Sequence, residues 1–131
     1  MKELQLENLM LIFDRFYFLI TENYGIESVS MGLRAYPSVS FKNEQTGLKI
    51  EVCGSDIGCE CEAYNVYIVK KNFFSRKLIN VSKEMDKIQS LQSDTKSIQA
   101  YSDFIRLHLM PVVRGEQGIS EFLKKKLALM L

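Results

Sequence analysis

Between Tyr36 and Lys70 apolar and polar residues alternate with a period of two, in three short runs separated by two turn signals. Val39 and Phe41 alternate with Ser38, Ser40 and Lys42; Leu48, Ile50 and Val52 alternate with Lys49, Glu51 and Cys53. A period of two sends successive side chains to opposite faces of a strand, so the stretch predicts an antiparallel meander. Asn43–Gly47, NEQTG, supplies one hairpin loop with glycine where positive φ is wanted, and Gly54–Gly58, GSDIG, supplies the next. Cys59, Cys61 and Ala63 then oppose Glu60 and Glu62. By parity Tyr64, Val66 and Ile68 fall on the Glu60 face. Charge first and apolar residues later on one face imply a bulge near Tyr64–Asn65, or an end covered by a helix. Ile26–Tyr36 is the expected first strand, with Val29, Met31 and Leu33 alternating until Tyr36-Pro37 breaks the run.

Helical spacing lies on both sides of the meander. Leu9, Phe13, Phe16, Tyr17, Ile20 and Tyr24 recur at steps of three and four, which predicts a helix from about Glu3 to Tyr24, stopped by Gly25. Leu11, Ile12, Phe18 and Leu19 widen its stripe and predict cover on more than one side. Its most apolar part, Leu9–Ile20, is too short to span a bilayer and has Asp14 and Arg15 at its middle. Beyond the meander, Lys70–Arg76 reads as a basic loop. Asn80 or Ser82 is the expected cap of a short helix with Met85, Ile88 and Leu91 on one face. Ser93 or Asp94 is the expected cap of the next, whose stripe is Ile98, Tyr101, Ile105, Leu109 and Val112; Pro111 should kink or shorten its last turn, and Gly115 should stop it. A final helix over Ser120–Leu131 would turn Phe122, Leu123, Leu127 and Met130 inward and Lys124–Lys126 outward. The expected fold is α+β, one domain over residues 1–131. It comprises an N-terminal helix, an antiparallel β-meander of about four strands, and two or three C-terminal helices packed on one face of the sheet. The other face is left to water.

Composition fits such a fold: 131 residues, 47% hydrophobic and 25% charged, are enough for a buried core. The net charge of +1 hides a split, −5 over residues 1–66 and +6 over residues 67–131. Such asymmetry marks either a binding surface or two halves that attract each other within the fold. The three cysteines are an odd set, which argues for reduced thiols in a cytoplasmic protein. The first residues, MKELQLENLM, lack the basic region and cleavage site of a signal peptide.

Candidate chemistry is sparse. The cysteines are spaced C-x5-C-x-C and the lone histidine, His108, falls on a helix, which does not make the paired ligand clusters of a zinc site. Cys59 and Cys61 read as small core residues. His108 sits between Leu107 and Leu109 with no nucleophile elbow in the chain, and Asp103 is not on its helical face. Gly54 and Gly58 lie in a hairpin rather than before a helix, so no phosphate cradle is expected. Lys70–Lys71, Arg76–Lys77 and Lys124–Lys126 are basic, yet no recognition helix or stacking aromatic motif accompanies them. The chain is therefore expected to have no catalytic residues, metal site or cofactor, and to bind neither nucleic acid nor membrane. What remains is an acidic, partly aromatic sheet face: Glu44, Glu51, Asp56, Glu60, Glu62 and Tyr64. Residues 39–69 have a balance of −3. A surface of that sign steers a basic partner, and tyrosine among acids suits an interface hot spot.

Three pieces of the chain carry a resemblance. They are Tyr24-Gly25-Ile26 at the helix exit, Val39-Ser40-Phe41-Lys42-Asn43 in the meander, and Tyr101-Ser102-Asp103-Phe104-Ile105 running on to Val113-Arg114-Gly115-Glu116. In this layout the chain resembles small bacterial immunity proteins of toxin–immunity systems. Ile26 stands where that pattern has an aromatic residue, and the cysteine-rich strand is peculiar to this chain. The resemblance implies a non-catalytic cytoplasmic binder that neutralises a cognate toxin, and it carries over no catalytic residues. The expected partner is thus a protein, a basic toxin domain occluded by the acidic sheet face, with the chain itself a monomer or weak homodimer. The alternative is a small-ligand-binding protein with an apolar pocket between the sheet and the first helix.

Overall fold

A computed structural model describes residues 3–31, 36–54, 64–71, 75–88 and 97–130, with side chains of 3–87 and 97–125 within those stretches. Its strands form one antiparallel sheet in chain order: β1 (Gly25–Ser30), β2 (Ser38–Lys42), β3 (Leu48–Gly54), β4 (Tyr64–Lys71) and β5 (Arg76–Asn80). The helices are α1 (Glu3–Arg15), α2 (Phe18–Thr21), α3 (Val81–Ile88), α4 (Ile98–Phe104), α5 (Met110–Val113) and α6 (Ile119–Met130), with a π-helical turn, Ile105–Leu109, between α4 and α5. The α+β architecture matches the reading of the sequence, with five strands rather than four. The extra strand, β5, starts at Arg76, the last residue of the expected basic loop, and runs to Asn80, one of the expected caps. Its only apolar residues, Leu78 and Ile79, are adjacent, so no alternation marks it. It forms because β4 offers a free backbone edge, paired from Tyr67↔Asn80 to Lys71↔Arg76. The first strand is shorter than expected and ends at Ser30, not Tyr36.

The N-terminal helix does not run unbroken to Tyr24. Phe16 N–H still donates to Ile12 four residues back, but Leu19 and Ile20 donate to Phe16 and Tyr17, three back. That tightening separates α1 from α2. Asn23, at φ 71°, takes the left-handed conformation that ends the turn, a role expected of Gly25. The later helix obeys its stripe: Ile98, Tyr101, Ile105, Leu109 and Val112 are all buried. Its cap is Ser97, whose Oγ accepts from Ala100 N–H at 3.0 Å, one turn beyond the expected Ser93 or Asp94. Pro111 has no N–H to give, and the π-helical turn before it widens the helix where that bond would fall. Gly115 stops this helical run at φ +77°, as expected.

Among the described residues the helices pack on one sheet face. Val39, Phe41, Ile50, Val52, Val66, Ile68 and Ile79 meet Ile12, Phe16 and Leu19 from the N-terminal helices, and Tyr101, Phe104, Ile105 and Leu109 from the C-terminal ones. Phe16 stacks on Phe41 with ring centres 6.1 Å apart. Each such side chain contributes on the order of 2 kcal/mol by leaving water. In α6, Phe122 packs against this core, whereas Leu123, expected inward, is exposed. Leu91 and the side chains of Ile88, Leu127 and Met130 lie outside the described residues.

Long-range hydrogen bonds lock the two ends of the chain together. Tyr24 Oη donates to the Val113 carbonyl at 2.7 Å, Ser102 Oγ to the Arg15 carbonyl at 2.7 Å, and Arg114 Nε to Glu22 at 3.0 Å. Gly54 does more than turn the chain. A Cβ there would run into the Tyr36 carbonyl and lie 2.9 Å from the Pro37 oxygen, so glycine is what lets residues 36–37 cross β3.

Candidate functional site

The outer face of the sheet carries the polar half of each alternation. One row crosses all five strands, Ser28, Ser40, Glu51, Tyr67 and Asn80, each opposite the next. Beside it lie Ser30, Ser38, Cys53 and Asn65, and on the other flank Lys42, Lys49, Val69 and Leu78. The first two rows line a shallow depression of about 180 Å³ between Ser28, Ser30, Ser38, Ser40, Glu51 and Cys53. Gly54 N–H donates to Ser38 Oγ at 2.8 Å, which fixes one rim.

The acids of this face are each paired, and among the described residues the cations Lys42, Lys49, Lys71 and Arg76 outnumber Glu27 and Glu51. Glu27 meets Lys49 at 2.9 Å and Lys42 at 3.9 Å. The hydrogen bond from Lys49 is the main reason the Glu27 carboxyl sits below the ordinary carboxylate range; desolvation opposes it. Glu51 lies 4.0 Å from Arg76. Tyr67 stands beside that pair, half-buried, its hydroxyl pushed above the ordinary tyrosine range by desolvation first, then by Cys53 and Glu51, with Arg76 opposing. The side-chain carbonyl of Asn65 is enclosed and accepts no hydrogen bond.

The expected acidic set is thus only partly assembled. Glu51 is on the outer face, half-buried and paired. Glu44 is exposed in the β2–β3 turn, 3.8 Å from Lys42. Asp56, Glu60 and Glu62, like Cys59 and Cys61, lie outside the described residues. Tyr64 corrects its expectation: it is 5% exposed, on the core side, edge-on to Tyr36 at 5.5 Å. Its backbone carbonyl accepts from Tyr101 Oη at 2.8 Å, while its own buried hydroxyl finds no partner. Tyr67 is the tyrosine that faces outward. Its parity opposite Val66 and Ile68 is the sequence signal for this, and it is hidden because Glu60 and Glu62 share the parity of Tyr64.

Elsewhere the chemistry is self-contained. Asp103, Arg106 and Leu107 line an open hollow of about 370 Å³ on the helical side. Arg106 spends its charge on Asp103 at 3.0 Å and on the Phe18 ring at 5.4 Å. His108 tilts on Phe104 at 4.8 Å, exposed on the helical layer, and Cys53 is across the sheet from it. No group of acids, cysteines and histidine among the described residues is placed to hold a metal ion, and no helix among them is long and apolar enough to cross a membrane. No protein-family model matches the chain, and neither a curated protein nor a solved structure matches it.

Proposed function

We propose that the chain is a non-catalytic protein-binding module that docks its partner on the outer sheet face. The sidedness of the sheet carries this reading. The described helices pack on one face, while the other presents Tyr67 and the serine-lined depression. A desolvated tyrosine ringed by paired charges is the usual make-up of an interface hot spot. The narrower reading, an immunity-type protein occluding a basic toxin domain, draws on the resemblance of three sequence pieces and on the acids of residues 56–62. With Glu27, Glu44 and Glu51 neutralised by neighbouring cations, those acids carry the steering charge that a basic partner needs. The small-ligand alternative gains no support between the sheet and the N-terminal helical segment, where Ile12, Phe16 and Leu19 are fully buried and Phe16 stacks on Phe41.

The test is association kinetics with the product of the adjacent reading frame. Tyr67→Ala should raise the dissociation rate about tenfold or more. Glu60→Lys with Glu62→Lys should slow association at low salt and less at high salt. Unchanged rates in both variants would remove the outer face as the docking surface.

A further inference from the structure

The most open feature of the fold is β1. It is an end strand of the sheet, all six of its residues are exposed, and among the described elements only β2 pairs with it. A bare edge presents a row of unpaired N–H and C=O groups, and soluble proteins commonly blunt it with an outward charge. Here the strand's one charged residue, Glu27, is drawn back onto its own sheet by Lys49 and Lys42. That charge therefore does not guard the edge.

The side chains of β1 say what fits there. Its pairing with β2 shifts register between Ile26 and Ser28, a bulge at Glu27. As a result Ile26 and Val29, three apart, both fall on the helix-side face, opposite Phe41 and Val39. Gly25, Ser28 and Ser30 fall on the outer face opposite Lys42, Ser40 and Ser38, and Glu27 joins them through its lysines. The face order along the strand is outer, inner, outer, outer, inner, outer. It reads the same in both directions, with its centre between Glu27 and Ser28.

We infer that β1 pairs antiparallel with β1 of a second copy of this chain, about a two-fold axis between Glu27 and Ser28. This register alone matches face to face over all six residues. Ile26 of each copy then lies beside the partner's Val29 on the helix side. Those two side chains are 51% and 41% exposed in one copy although they point toward the helical layer, because no described helix reaches over β1. The pairing covers them and joins two five-stranded sheets into one. The interface is a single strand pair, which places the dimer in the weak, concentration-dependent class.

Sedimentation over a wide range of protein concentration tests it. The wild-type chain should approach twice its monomer mass of 15.1 kDa at the high end. Ile26→Lys with Val29→Lys should stay monomeric, and so should Ile26→Glu with Val29→Glu. Mixing the two variants should restore a dimer, since every Lys would face a Glu. The sites are exposed, so both variants should keep the wild-type circular dichroism and melting temperature. A wild-type chain that is monomeric throughout, a Lys variant that still dimerises, or a mixture that stays monomeric would each overturn the assignment.

Discussion

Tyr24, Tyr64 and Tyr101 are all buried, and they use their hydroxyls differently. Tyr24 and Tyr101 donate to backbone carbonyls at 2.7 and 2.8 Å, whereas the hydroxyl of Tyr64 is enclosed without a partner. An unmade buried hydrogen bond costs about 1–3 kcal/mol, so the same chemical change should have opposite consequences at two sites. Tyr24→Phe should lose about 1 kcal/mol in urea unfolding, and Tyr64→Phe should lose nothing or gain about as much. Equal losses would contradict the two environments. Burial, reinforced by Glu22 at Tyr24 and by Tyr36 at Tyr64, raises both hydroxyls above their ordinary range. The neutral form is therefore favoured in the folded state. Stability is fully present below the unfolded tyrosine value of about 10 and falls as pH rises past it. Tyr24→Phe should flatten that alkaline loss, measured as the pH dependence of the urea midpoint. Gly54→Ala should be the most damaging single methyl in the sheet, about 3 kcal/mol or more by calorimetry, because backbone at Tyr36 and Pro37 occupies the space. In the sequence Gly54 reads as an ordinary turn glycine, since nothing local reveals a chain crossing from 18 residues earlier.

Elements whose signal is periodic were legible, and those defined by a neighbour were not. The buried set Val39, Phe41, Leu48, Ile50 and Val52 follows from alternation alone, and the stripe from Ile98 to Val112 from helical spacing. Of the two expected caps, Asn80 and Ser82, Asn80 is the one whose side chain caps: its Oδ1 accepts from Lys83 N–H at 3.2 Å. By contrast, β5 owes its existence to the β4 edge, and the break at Phe16–Tyr17 is masked by a stripe that continues through it. The caps give a matched pair of measurements. Ser97→Ala and Asn80→Ala should each lower unfolding stability by about 1 kcal/mol, and glycine at either place by only a few tenths. An alanine variant as stable as wild type would show that the cap bond adds nothing to that helix.

Over the whole molecule, the charge split between the halves of the chain resolves in part as internal attraction. Arg114 grips Glu22 with two nitrogens, and Arg76 approaches Glu51, each pair joining the acidic half to the basic one. Single surface pairs contribute little, so the split shapes the surface more than the stability. This is also why the candidate site was only partly readable. Acids stand out along a sequence, but the lysines that quench Glu27 come from β2 and β3, placed beside it by a register the sequence does not show. Tyr67 and the serine rows carry no charge, so nothing in the sequence sets them apart.

The ties between Tyr24 and Val113, Arg15 and Ser102, and Glu22 and Arg114 bridge separations of 89, 87 and 92 residues. Every strand, in contrast, pairs with its neighbour in sequence. Closing a short loop is quick and closing a long one is slow, so the hairpins have a head start and the clasp between the two helical ends comes last. What closes last under native conditions is also what opens first. Amides of α1 and of residues 101–109 should exchange with solvent deuterium together, at a lower free energy than the centres of β3 and β4. Protection of α1 equal to that of β3 would instead mean that clasp and sheet come apart as one unit.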